Sequence, residues 1–115
     1  MNKQDFKDRT KEFALGILTL VDGLPKKLAA NIIARQLVRS GTSVGANYRA
    51  ACRARSKADF ISKMGIVEEE ADEAMFWMEL LRDSRLLEEH SLHKSYQQAN
   101  AIVAMTIASI KTARN

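Results

Sequence analysis

One stretch of the chain repeats its apolar residues at the spacing of a long helix with a buried face. The steps between successive apolar positions are 4, 3, 4, 3, 4 and 3, an unbroken heptad pattern over Phe60, Met64, Val67, Ala71, Ala74, Met78 and Leu81. This spacing places them on one face of a helix that packs against other helices. Ser56-x-x-Asp59 comes just before the stretch as a capping box, which predicts that the helix begins near residue 57.

Three other segments also have helical periodicity. Their apolar stripes are Phe13, Ile17, Leu20 and Leu24; Ile33, Leu37, Val44 and Tyr48; and Leu92, Tyr96, Ala99, Val103, Thr106 and Ile110. We predict four helices near 5–24, 25–54, 57–84 and 91–113. Gly23-Leu24-Pro25 ends the first helix, and Pro25 is a favourable first residue for the second. Ser40-Gly41 should kink the second helix without dividing it, because the apolar phase continues across these residues.

The composition agrees with a helical protein. One Pro and five Gly are too few for the many turns of a β-sandwich or barrel. Four long helices with short connections predict one all-α domain over residues 1–115, an antiparallel up-and-down four-helix bundle with a kinked second helix. Cys52 is alone, the N-terminus is charged, and no apolar run reaches membrane length. We therefore expect a cytoplasmic protein.

The net charge of +4 is unevenly distributed. Residues 1–57 hold 12 Lys or Arg against 4 Asp or Glu, whereas residues 58–90 hold 3 against 10. On the second helix, an arginine stripe follows one row of the surface and is extended by two basic residues after it: Arg35, Arg39, Arg49, Arg53, Arg55 and Lys57. Guanidinium groups suit phosphate oxygens, so this stripe is the candidate nucleic-acid-binding site. The alternative is that these arginines pair with the Glu and Asp of the third helix.

Residue patterns for chemistry are absent. Glu68 to Glu73 form an acidic cluster, but neither His90 nor His93 follows a Glu at the i, i+3 spacing of carboxylate-bridged metal bundles. Gly41-x-x-x-Gly45 lacks the Lys-Ser/Thr of a phosphate loop and indicates close helix packing instead. We expect no catalysis, no metal and no cofactor.

The fourth helix carries no charge between Ala99 and Ile110. One bundle core covers only one stripe of such a helix. Ile102, Met105 and Ile107 lie outside the predicted stripe, so we expect them at an oligomer interface. The residues alone predict an oligomer without giving the number of copies.

The block Arg39-Ser-Gly-Thr-Ser-Val-Gly-Ala-Asn-Tyr-Arg-Ala-Ala51 resembles the signature of four-helix-bundle proteins encoded in intervening sequences of 23S ribosomal RNA genes. Ser56 to Ile61, Glu69 to Glu73 and Trp77 to Leu81 are similar to the same family, and the resemblance covers nearly the whole chain. At the positions of Tyr48-Arg49-Ala50-Ala51, many members have an aliphatic residue, then small or acidic residues, and then Gly. This departure places the chain in an arginine-richer branch.

The resemblance implies a small bundle of a bacterial protein that assembles as a ring, typically a homopentamer. A related branch is the accessory protein of diversity-generating retroelements, which is similar in fold, basic, and works with a reverse transcriptase and nucleic acid. The resemblance therefore implies partners of three kinds: further copies of the chain, RNA or DNA, and a reverse transcriptase. A protein–protein assembly module without a nucleic-acid role is the alternative function.

Overall fold

The heptad residues of the third segment lie at the centre of the fold. A computed structural model describes residues 2–115 and contains four helices: α1 (Lys3–Asp22), α2 (Leu28–Cys52), α3 (Lys57–Asp83) and α4 (Glu89–Arg114). Six of the seven heptad positions are buried in α3, and Phe60 packs against the core from its edge. The four predicted helices are confirmed, and no strand occurs within residues 2–115.

Capping interactions fix where the helices begin. The Asn2 side chain accepts a 2.8 Å hydrogen bond from the backbone N–H of Asp5, so α1 begins earlier than the predicted residue 5. At α3, Ser56 Oγ accepts a 3.0 Å hydrogen bond from the N–H of Asp59, as the capping box predicts. The prediction that α2 starts at Pro25 is wrong. Lys27 is extended, with φ −130° and ψ 152°, so the helix begins only at Leu28.

Each helix packs against two others, in the closed order α1, α2, α3, α4 and back to α1. The molecule measures 45 × 21 × 20 Å, and the 27-residue α3 alone spans about 40 Å at 1.5 Å per residue, so the helices run along its length. No helix within residues 2–115 combines the length and the apolarity that crossing a membrane would require.

Residues that come earlier in α1 contact residues that come later in α2. Ile17 lies against Gly41, Thr10 lies against Gly45, and the ring of Phe6 stacks on that of Tyr48 with centroids 4.0 Å apart. α2 is continuous from Leu28 to Cys52. The kink in α2 and the up-and-down order of the complete bundle stay predictions.

Candidate nucleic-acid interface

The arginine stripe of α2 belongs to a longer row in which every residue except the half-buried Thr42 is exposed. The arginines at 35, 39, 49 and 53 are all exposed, and the row continues toward the start of the helix with two exposed aliphatic residues. Leu28 is 76% exposed and Ile32 is 53% exposed. In order, the row is Leu28, Ile32, Arg35, Arg39, Thr42, Ala46, Arg49 and Arg53. The row therefore changes character from apolar to basic along α2.

The middle of the row is tied to α3. Arg39 Nη1 lies 2.8 Å from Glu70 Oε2, and Nη2 of the same side chain pairs with Glu73. Glu73 Oε2 also accepts a 3.0 Å hydrogen bond from the indole N–H of Trp77. The alternative interpretation, that the arginines pair with α3 carboxylates, therefore holds for Arg39.

The C-terminal end of the row lines a groove between α1 and α2. This α1/α2 groove has a volume of about 590 Å³. Its lining residues are Lys7, Thr10, Lys11, Ala14, Thr42, Gly45, Ala46, Arg49, Ala50 and Arg53. Four of them are cations, and none of these described lining residues is Asp or Glu. Within residues 2–115, the four cations take part in no ion pair. The groove is thus a concave surface of uncompensated positive charge.

Small residues keep the walls of the groove close together. A Cβ added to Gly45 would lie 3.3 Å from Thr10 Oγ1, closer than ordinary van der Waals contact. A Cβ added to Gly41 would lie 3.0 Å from Ile17 Cγ1. The prediction that Gly41-x-x-x-Gly45 mediates close helix packing is confirmed.

Two of the four groove cations were not predicted from the sequence. Lys7 and Lys11 stand one helical turn apart on α1, and their i, i+4 spacing alone is too common on helix surfaces to identify a site. They become part of the candidate interface only because α1 lies beside the end of α2 that carries Arg49 and Arg53.

Arg55 and Lys57 are exposed but do not line the groove. α2 ends at Cys52, so these two residues leave the helical row. The backbone N–H of Arg55 donates a 3.2 Å hydrogen bond to Asp59 Oδ2. Hydrogen bonds from Lys63 first and then from the Arg55 backbone hold the pKa of Asp59 below its usual value. Arg55 and Lys57 therefore extend the positive surface around the end of α2 and lie outside the groove.

The three predicted interface residues of α4 have different environments. Ile102 is 2% exposed inside the core of the chain itself, so its assignment to an interface is wrong. The buried stripe of α4 is Leu92, Ser95, Ala99, Ile102, Thr106 and Ile110, because α4 packs against both α1 and α3. Met105 is half-buried, and Ile107 is 49% exposed. Only Ile107 presents a large apolar surface to solvent.

A second cavity, of about 300 Å³, lies between α3 and α4. Its wall includes Glu79, Glu89 and His93, and the hydroxyl of Tyr96 donates a 2.8 Å hydrogen bond to Glu79 Oε2. Two members of the acidic cluster of α3, Glu70 and Glu73, face α2 instead, where Arg39 engages them. Within residues 2–115, no three His, Cys, Asp or Glu side chains come together as a set of metal ligands.

Comparison with known proteins identifies a family and a closely similar crystal structure. Residues 2–108 match the family model described as 23S rRNA-intervening sequence protein. A crystal structure from Bacteroides thetaiotaomicron, of a protein with unknown function from the S23 ribosomal protein family, is 35% identical with a TM-score of 0.89. That match covers 96% of this chain and 99% of the other. No curated protein matches the sequence.

Proposed function

Because the chain belongs to the 23S rRNA-intervening sequence protein family, we propose that it is a non-enzymatic, homo-oligomeric scaffold that associates with RNA or another nucleic acid. The observation that carries this proposal is the α1/α2 groove, in which four cations face one space without a carboxylate among the lining residues. Lysine and arginine in such a concave surface attract phosphate groups, and arginine can bind two phosphate oxygens at once.

The arginines of the stripe differ in whether carboxylates already engage them, and this difference supports the groove as the binding surface. Arg39 is neutralised by two carboxylates of α3. A phosphate would have to displace both before it could use that guanidinium. Arg49 and Arg53 have no such competitor, and Lys7 and Lys11 add to the same positive potential. Nucleic acid should therefore bind at the end of the stripe that lies beside α1.

The test is fluorescence anisotropy with a labelled RNA at low and high salt. Wild-type protein should bind at low salt and release the RNA as salt rises, since displaced counterions drive phosphate binding. Arg49→Glu/Arg53→Glu should abolish binding. The matched control is Lys26→Glu/Lys94→Glu, which changes the charge equally at exposed positions outside the groove and should bind like wild type. Absence of binding at low salt, or equal loss in both variants, contradicts the proposal.

Self-association is the second part of the proposal. Exposed apolar side chains occur on all four helices, with Leu15 at 56%, Leu28 at 76%, Phe76 at 51% and Ile107 at 49% exposure. Segregated basic and acidic surfaces on one chain can meet between copies, and a closed ring satisfies such faces without leaving free ends. The family resemblance gives five as the number of copies. Light scattering after size exclusion should then report a mass about five times the 12.9 kDa of the chain.

The exposed aliphatic end of the α2 row favours one alternative, a protein–protein assembly module with no nucleic-acid role. Leu28 and Ile32 stand one turn apart and form an apolar patch of the kind that marks protein contacts. A stable oligomer that binds neither RNA nor DNA at low salt would support this alternative. Both the nucleic-acid scaffold and the assembly module require self-association, so a monomer near 13 kDa would contradict that part of each.

A further inference from the structure

We propose that the α1/α2 groove binds the sugar–phosphate backbone of a single nucleic-acid strand and does not distinguish its bases. This inference rests on the proposed function, because it specifies which form of nucleic acid the groove accepts. It follows from the placement of the cations, the chemistry of the other lining residues and the size of the space.

Each wall of the groove contributes two cations. Lys7 and Lys11 lie on α1, and Arg49 and Arg53 lie on α2. Within each pair the residues are four apart, which is about 6 Å along a helix axis. Because Thr10 lies against Gly45 and Phe6 stacks on Tyr48, Lys7 is level with Arg49, whereas Lys11 and Arg53 lie about one turn away in opposite directions. A strand that runs along the groove can therefore meet cations of both walls in succession.

The remaining lining residues have few groups that could stack on a base or form a hydrogen bond with it. Thr10 Oγ1 donates to the Lys7 carbonyl at 3.0 Å, and Thr42 Oγ1 donates to the Val38 carbonyl at 2.7 Å, so both hydroxyl protons are used within their own helices. The other lining residues are Ala14, Gly45, Ala46 and Ala50. Within the described chain, no aromatic side chain and no Asn, Gln, Asp or Glu lines the groove. Base stacking and amide or carboxylate recognition of base edges are therefore missing.

The dimensions of the groove favour one strand over two. Neighbouring packed helices lie about 8–10 Å apart, axis to axis. The major groove of B-DNA alone is about 12 Å wide, so a duplex is broader than the space between α1 and α2 and would rest on its rim. A single backbone can lie along the line where the two helices meet, over the small residues Ala46 and Ala50. Its sugar carbons can then pack on this apolar surface.

The experiment compares single strands with a duplex by fluorescence anisotropy at low salt. The probes are labelled strands of about 12 nucleotides, within the usual site size of single-strand binding proteins: oligo-U RNA, oligo-dT, oligo-dA and the annealed dA·dT duplex. Wild-type protein should bind the three single strands with affinities within about threefold of one another, and the duplex about tenfold more weakly or worse. Lys7→Gln and Arg49→Gln should each weaken binding of all three strands to the same extent.

The outcomes separate this inference from the proposed function. If the duplex binds as tightly as the single strands, the inference is wrong while nucleic-acid binding stands. Preference for one homopolymer by more than about tenfold would show base recognition and also contradict it. If no probe binds at low salt, both the inference and the nucleic-acid part of the proposed function fail. Circular dichroism of the two Gln variants establishes that they keep the helical fold.

Discussion

Gly41 of α2 lies against Ile17 of α1 so closely that a Cβ at Gly41 would be 3.0 Å from Cγ1 and 3.2 Å from Cγ2 of that side chain. Ile17 is completely buried and β-branched, so it has little freedom to move aside. One turn further along α2, Gly45 faces Thr10 across the groove. The contact between Gly41 and Ile17 therefore sets the separation of the two helices that form the walls of the candidate site.

Two glycine substitutions test this contact. Gly41→Ala should destabilise the protein, because overpacking a tight core contact costs about 1–3 kcal/mol and exceeds the gain in helix propensity. Gly65→Ala is the matched control within α3, since nothing lies within 4 Å of its added Cβ. That variant should be more stable by about 0.5–1 kcal/mol. Urea unfolding measures both, and a stabilised Gly41→Ala variant would show that α1 and α2 can separate freely.

Arg39 should contribute little to nucleic-acid binding. Its guanidinium is held by Glu70 and Glu73, so Arg39→Gln should weaken RNA binding much less than Arg49→Gln in the same anisotropy assay. Because the ion pairs are partly exposed, Arg39→Gln should cost less than about 1 kcal/mol of stability.

Fluorescence of the single tryptophan gives an independent measure of Arg39. The indole of Trp77 donates to Glu73, which also pairs with Arg39. If Arg39 stays on the carboxylates when RNA binds, the Trp77 emission should stay constant through a titration of wild-type protein. An emission change that disappears in Arg39→Gln would mean that RNA recruits this arginine. That result would contradict the proposal that nucleic acid binds only at the end of the stripe beside α1.

Stability should fall in alkaline solution because of the two tyrosines. Burial, followed by interaction with Cys52, raises the pKa of Tyr48, and the hydrogen bond to Glu79 raises the pKa of Tyr96. Below pH of about 10 both phenols are neutral in the folded and unfolded chains. Above that pH the unfolded chain loses protons that the folded chain retains, so the free energy of unfolding decreases as pH rises.

Tyr48→Phe keeps a ring to stack on Phe6 and removes one titrating group. Urea unfolding at about pH 8 and about pH 11 should show a smaller loss of stability for this variant than for wild type. Equal losses in the two proteins would mean that Tyr48 does not cause the alkaline effect. Absorbance at the phenolate band should independently show both tyrosines ionising above their ordinary pKa.

Ile102 and Ile107 should respond differently to substitution, although both lie on α4. Ile102 is buried in the core, so Ile102→Ala should lower the free energy of unfolding by about 2–5 kcal/mol. Ile107 is half exposed, so Ile107→Asp should leave the fold intact and lower the mass measured by light scattering if α4 lies at the interface between copies. An unchanged oligomer mass would indicate that other exposed apolar residues, such as Leu28 and Phe76, form the interface.

The sequence predicts those parts of the fold that depend on one helix at a time. The heptad of α3 identifies its buried face because a single helix determines that periodicity. On α4 the prediction fails at two positions, where Ser95 and Ile102 are buried in place of Tyr96 and Val103. Ser95 is buried where α4 approaches Gly16 of α1, since a Cβ at Gly16 would lie 3.5 Å from Ser95 Oγ. A hydrophobicity pattern does not identify a small polar residue as part of the core.

The candidate site was predicted only in part for the same reason. Arg49 and Arg53 are identified from one helix, whereas Lys7 and Lys11 join them only through the packing of α1 on α2. The pairing of Arg39 with Glu70 likewise depends on which α3 residues lie opposite α2. Relationships between helices therefore required the structure, and they determine which arginines are available to phosphate.

The most direct test of phosphate binding in the α1/α2 groove is the salt dependence of the affinity for a single-stranded RNA. Four contacting cations predict a slope of log K against log salt of about −3, since each single-strand contact contributes about −0.7. Arg49→Gln/Arg53→Gln should reduce the slope to about −1.4, whereas Lys26→Gln/Lys94→Gln should leave it unchanged. A wild-type slope near zero, or the same slope in Arg49→Gln/Arg53→Gln as in wild type, would contradict binding through the groove.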